Sequence, residues 1–178
     1  MKLKTTPRDS TGAPAQAAPA QAALDRLELD RFLPYRLSVL ANTVSSGIAR
    51  LYAGRFQMTI PEWRVMAVIG CYGPQSANAV CRHTAMDKVR VSRAVALLVK
   101  AGRLSRATDR GDRRRAVLAL TAEGQAVHRR IVPLARAAEA KLLQGLTPAE
   151  RAALDRLVGK LQRRATEILG PESAAAWP

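Results

Sequence analysis

Over most of this chain apolar residues recur at steps of three and four, and in one short stretch they alternate. From Leu33 they fall at Leu37, Leu40, Val44, Ile48 and Leu51, one stripe along a long helix entered at Pro34. Thr59-Ile60-Pro61-Glu62 announces a second helix. Its threonine can cap, the glutamate three residues on can reach back to the threonine amide, and the first turn tolerates proline. That helix carries Trp63, Met66 and Ile69 and should stop near Gly70-Cys71-Tyr72-Gly73-Pro74. A short helix is expected around Ser76 to His83, then a longer one with Asp87 as N-cap and Gly102 as its stop.

After Gly102 the period changes. Arg103 to Thr108 and Arg114 to Thr121 read as two short strands joined across Asp109-Arg110-Gly111-Asp112, with Leu118 and Leu120 on one face. Thr121 opens another helix striped by Val127, Ile131, Leu134, Ala138 and Leu142. Pro133 lies inside it and predicts a kink, since an interior proline costs about 3 kcal/mol. The last helix starts at a second capping box, Thr147 to Glu150 with Pro148 between, and its stripe is Leu154, Leu157, Leu161, Ala165 and Ile168.

Consecutive short helices followed by a two-stranded hairpin are the pattern of a winged helix-turn-helix. The expected class is therefore mainly α with a small β-hairpin, the winged unit at residues 57–121. Long helices in 27–56 and 122–170 flank it. They carry stripes that so small a unit cannot cover, so they are expected to dimerise, each packing against its two-fold mate. Residues 1–26 contain Ala-Pro-Ala-Gln-Ala repeats too poor in large side chains to offset ordering entropy. They are expected to be a disordered tail, with a second tail at 171–178.

Composition supports helices: apolar residues make up 48% and aromatics only 4%, so Ala, Leu and Val must build the core. No apolar run approaches the roughly 18 residues of a membrane span and no leader pattern opens the chain, which points to the cytoplasm and away from a membrane partner. The net charge of +15 matters more for its placement than its size. Between Arg82 and Arg115 eleven basic residues face only Asp87, Asp109 and Asp112, which suits a polyanion, nucleic acid first.

On a helical wheel Val91, Ala94, Val95 and Leu98 fall together and must face the core. Val89, Arg93, Ala96 and Lys100 fall opposite, with Arg90 and Ser92 beside them. Small residues let such a helix approach a major groove. Arg90 or Arg93 can bond a guanine edge, Val89 can touch a thymine methyl, and Lys88 and Ser92 suit phosphates. At the hairpin tip Arg113 and Arg114 would enter the neighbouring minor groove, whose narrow A·T form attracts arginine. Gly111 eases the turn, and Asp109 and Asp112 would hold arginines in one rotamer.

Met86-Asp87-Lys88, Val91-Ser92-Arg93, Leu98 and Gly102, followed by Asp109, Asp112, Arg114, Leu120-Thr121 and Gly124, resemble the signature of the MarR (multiple antibiotic resistance regulator) family over Leu33 to about Leu169. The resemblance implies a homodimer with interlocked terminal helices, each lobe offering a winged helix to half of a palindromic operator on double-stranded DNA. It implies Arg114 as the minor-groove arginine and Asp112 as its orienting partner. It further implies a repressor that releases DNA when a small effector binds: an aromatic acid, a phenol or an aromatic acyl-CoA.

Arg36, Asn42 and Ser46 beside the first stripe, with Trp63 and Met66 nearby in sequence, would suit a flat aromatic anion. Cys81, set among Ala77, Val80 and Ala85, reads as a buried, inert thiol. A redox-responsive regulator of the same fold is the rival reading. A charge-driven architectural or RNA-binding protein is the rival from another class. Only His83 and His128 are present, without metal-ligand spacing, and no catalytic set or phosphate loop is evident. Neither an enzyme nor a metal or cofactor site is expected.

Overall fold

A computed structural model describes residues 27–108 and 116–169. Both predicted tails and the hairpin tip, including Asp109, Asp112, Arg113 and Arg114, lie outside the described residues. Six helices are seen among those residues: α1 (Leu33–Phe56), α2 (Ile60–Tyr72), α3 (Ala77–Thr84), α4 (Lys88–Lys100), α5 (Ala122–Leu143) and α6 (Pro148–Leu169). Three short strands accompany them: β1 (Gln75–Ser76), β2 (Leu104–Thr108) and β3 (Ala116–Leu120). The chain divides into two compact units, Met1–Val44 and Ser45–Pro178, and α1 runs through the division. In the first unit the described residues are a turn and the opening of α1.

The second unit holds the core. Both predicted capping boxes form. At α2 the Thr59 amide donates to the Glu62 carboxylate (2.9 Å) and the Glu62 amide to Thr59 Oγ1 (3.4 Å). At α6 Thr147 and Glu150 repeat the exchange. Ser76, Asp87 and Thr121 cap α3, α4 and α5. α5 continues as one helix through Pro133.

The sheet departs from the expected hairpin by one strand. β1 pairs antiparallel with β3 (Gln75↔Leu118, Ser76↔Val117), giving the order β1-β3-β2. Two residues carry no alternation, so this strand exists only because β3 offers it an edge. β2 and β3 pair from Leu104↔Leu120 to Thr108↔Ala116, and Leu104 and Leu118 are buried.

The first helix keeps most of its stripe out of the core. Leu37, Leu40 and Leu51 stay 45%, 54% and 46% exposed, whereas Tyr52 and Phe56 are buried. Tyr52, Phe56, Met58, Met66, Ile69, Val91, Leu98, Leu118, Val127 and Ile131 form one continuous core. Only the last two turns of α1 supply it with fully buried side chains.

Candidate nucleic-acid interface

The turn between α3 and α4 is built by local bonds. Ala85 sits in the left-handed region (φ 52°), a conformation that costs an L-residue roughly 1 kcal/mol. Thr84 Oγ1 donates to the Val80 carbonyl (2.7 Å) and accepts from the Met86 amide (3.3 Å), while Met86 plugs the core. The strain at Ala85 is thereby held in place, and the chain re-enters helix at Asp87, whose Oδ1 accepts the Arg90 amide at 2.7 Å.

α4 shows the division its sequence predicts. Val91, Ala94, Val95 and Leu98 are buried. Lys88, Val89, Arg90, Ser92, Arg93, Ala96 and Lys100 are exposed. Val89, an apolar residue 59% exposed at the head of this face, gains nothing from water; its placement suits a partner surface. Arg90 Nε lies 3.8 Å from Asp87 Oδ2, with both side chains largely exposed, so this ion pair contributes little stability and leaves the guanidinium available.

Beside α4 the wing strands add a residue that the sequence reading overlooked. Arg106 is exposed and stands opposite Leu118 in the ladder. Counting by twos from buried Leu104 would have placed it on the strand face toward the helix. Between α3, α4 and the strands lies a cavity of about 610 Å³. Val91, Val95 and Leu118 line it, together with the cationic Lys88, Lys100 and Arg106.

Cys81 also borders this cavity and is half-buried, not buried as its sequence neighbours suggest, because one side of α3 faces the opening. Cys71 is exposed.

The residues proposed for an effector fall in both compact units. Arg36 and Asn42 belong to the first unit and Ser46, Trp63 and Met66 to the second. Arg36, Asn42 and Ser46 are exposed, but Met66 has no exposed surface and is a core residue. Trp63 is half-buried, its ring 5.8 Å from that of Tyr52 and 5.7 Å from that of His128. Arg64 Nη2, which the sequence did not single out, donates to Ser45 Oγ (3.2 Å) and ties α2 to α1. Among the described residues no helix is long and apolar enough to cross a membrane.

The MarR family model matches residues 56–115, the segment from the end of α1 through the wing tip. No curated protein matches the chain. Solved structures do. A MarR/EmrR family transcriptional regulator from Acinetobacter sp. ADP1 superposes with a TM-score of 0.73 at 25% identity, covering 79% of this chain and 99% of that one. The BpsR protein of Bordetella bronchiseptica, whose DNA binding is regulated by 6-hydroxynicotinic acid, gives 0.68 at 23% identity over 77% of this chain and 97% of its own. A mutant MarR from E. coli complexed with operator DNA gives 0.66 at 22% identity over 77% and 99%. The family model spans the helix-turn-helix and reaches the wing, and the same fold continues on both sides in these solved structures, so over residues 56–115 the chain is similar to the MarR family of transcriptional regulators.

Proposed function

We propose that the protein is a homodimeric, sequence-specific repressor that leaves a palindromic operator when a small aromatic acid binds. The observation that carries this reading is the outward face of α4. Two arginines, two lysines, a serine, an alanine and an exposed valine stand there, their helix held rigid by four buried side chains. That mixture suits base edges and phosphates at once. In the mutant E. coli MarR, a protein of this fold carries operator DNA.

The terminal helices support the dimer. No residue of α6 is buried, although Leu154, Leu157, Val158, Leu161 and Ile168 each stay 40–49% exposed along it. Covering them against a second copy would supply several kcal/mol, at roughly 25 cal/mol per Å². A two-fold dimer then sets half-sites about one helical turn apart.

For the effector, the regulation of BpsR by 6-hydroxynicotinic acid supports the chemical class. The cavity beside α4 supports a seat: apolar walls for a ring, with Lys88, Lys100 and Arg106 for a carboxylate. Because Lys88 and Ser92 line it, an occupant there would compete with DNA for the same residues.

The test is selection from a pool of random duplexes, followed by affinity for the enriched and scrambled duplexes across a salt series. Specific readout gives a ratio of roughly 10³ or more that persists with salt. Equal, steeply salt-dependent affinity for both would replace this reading with a charge-driven architectural or RNA-binding one.

A further inference from the structure

Arg103 is one of the eleven basic residues in the charged run, yet its guanidinium does not join the basic surface. It is half-buried, and its Nη2 donates at 2.7 Å to the carbonyl of Phe56, the last residue of α1 and 47 positions away in sequence. A helix end leaves its final carbonyls without intrahelical partners and carries partial negative charge, so a cationic donor there satisfies both needs.

The backbone of the same residue closes the recognition helix. Gly102, in the left-handed region at φ 67°, lets the chain reverse. Its amide bonds the Val99 carbonyl (3.0 Å), and the Arg103 amide bonds the Leu98 carbonyl (2.9 Å). The Arg103 carbonyl then accepts the amide of Thr121, the N-cap of α5, at 3.1 Å. Thr121 Oγ1 returns a bond to the Gly102 carbonyl at 2.6 Å. Gly124 packs against the Arg103 carbonyl oxygen so closely that a Cβ has no room.

Three helices thus meet at one residue: the end of α1 through its side chain, the end of α4 through its amide, the start of α5 through its carbonyl. The opposite end of α4 carries Lys88 to Arg93. With a rise of 1.5 Å per residue, Arg90 lies roughly 15 Å from the anchored end. A swing of about 10° there moves it by about 2–3 Å, more than a hydrogen bond to a base tolerates.

We propose that Arg103 is a positioning residue, which by bonding the Phe56 carbonyl holds the recognition helix at its working angle. This rests on the reading of α4 as the DNA-contacting helix. No contact between Arg103 and DNA is involved, which separates it from the other cations of the run.

The full-length protein and its Arg103→Ala and Arg103→Lys variants are titrated with the duplex enriched from the random pool and with a scrambled one, across a salt series. Amide hydrogen exchange of the free proteins is followed at Ala101, Gly102 and Arg103. Removing the tether lowers affinity for the enriched duplex about tenfold, the equivalent of one hydrogen bond to a charged group. Affinity for the scrambled duplex and the slope of log affinity against log salt stay at the parental values, and exchange at the three amides accelerates. Arg103→Lys keeps the charge without the planar fork and falls between, which preserves the test if the alanine variant does not fold.

Two results overturn the proposal. One is a salt slope shallower by about one, the mark of a lost phosphate contact. The other is parental affinity for the enriched duplex despite lowered melting, the mark of a purely structural role. A parent that prefers no duplex removes the DNA reading itself, and this proposal with it.

Discussion

The imidazole of His128 lies directly against Gly70: a Cβ built at position 70 would sit well inside van der Waals contact distance of Nε2 and its two ring neighbours. The contact joins α5 to α2, and the centroid of the same imidazole lies 5.7 Å from that of the Trp63 ring. A single missing methyl group therefore sets how closely two helices approach.

Gly70→Ala should destabilise the fold by about 1–3 kcal/mol, the ordinary cost of overpacking. The added methyl gives no compensating contact, because rigid ring atoms face it. Adding His128→Ala to that variant should restore part of the loss. Denaturant unfolding of the two single variants and the double variant checks this; strictly additive effects would show that the residues do not share the space.

His128 Nε2 is buried and has no hydrogen-bond partner among the described residues. Burial lowers the pKa of the ring below its ordinary 6.5. The unfolded chain then takes up a proton at a pH where the folded chain resists it, so stability is fully present above about 6.5 and declines as pH falls below it. His128→Phe removes the titration. Urea unfolding at pH 7.5 and pH 5 should show a larger acid loss in the parent than in this variant, and equal losses would discard the assignment.

The two capping boxes should differ in worth. Glu62 is 5% exposed and Glu150 lies fully in water, although hydrogen bonds from the Thr147 backbone and side chain lower the Glu150 pKa. Thr59→Ala leaves a buried carboxylate short of partners and should cost about 2 kcal/mol; Thr147→Ala should cost about 1 kcal/mol or less. Melting temperatures of the two variants give the order directly.

A charge on α6 should divide the proposed dimer without unfolding the core, since that helix contributes no buried residue to it. Leu157→Arg is expected to shift the species seen by sedimentation from dimer to monomer while the melting of the winged unit persists. A variant that stays dimeric would move the interface elsewhere.

Arg93→Ala and Arg114→Ala should each reduce affinity for the enriched duplex, by about 1–3 kcal/mol for a base-reading arginine. Arg93 tests the exposed face of α4, and Arg114 tests the wing tip. Cys81→Ser should leave effector-dependent release intact. Oxidant-dependent release that vanished in this variant would favour the redox reading instead.

Much of this architecture could be read along the chain because its causes are local. Thr59 and Glu62, Asp87 and the Arg90 amide, and Gly102 after Lys100 act over three or four residues, so the spacing carries the geometry. The buried set of α4 is equally local, since the period of a helix decides which residues share a face. What failed had distant causes. β1 needs an edge on β3, supplied forty residues later. Which residues of the first helix enter the chain's own core was likewise not legible: Tyr52 and Phe56 do, because burial depends on which helices arrive to cover a face.

Residue type, period and capping chemistry were enough to specify where the helices and wing strands lie and which side of the recognition helix meets the core. Packing in three dimensions alone turned Arg103 inward to Phe56, pressed His128 onto Gly70, and opened a cavity beside α4 bordered by Cys81 and Arg106. Those contacts join residues far apart in sequence, and no local free energy records who the neighbour will be.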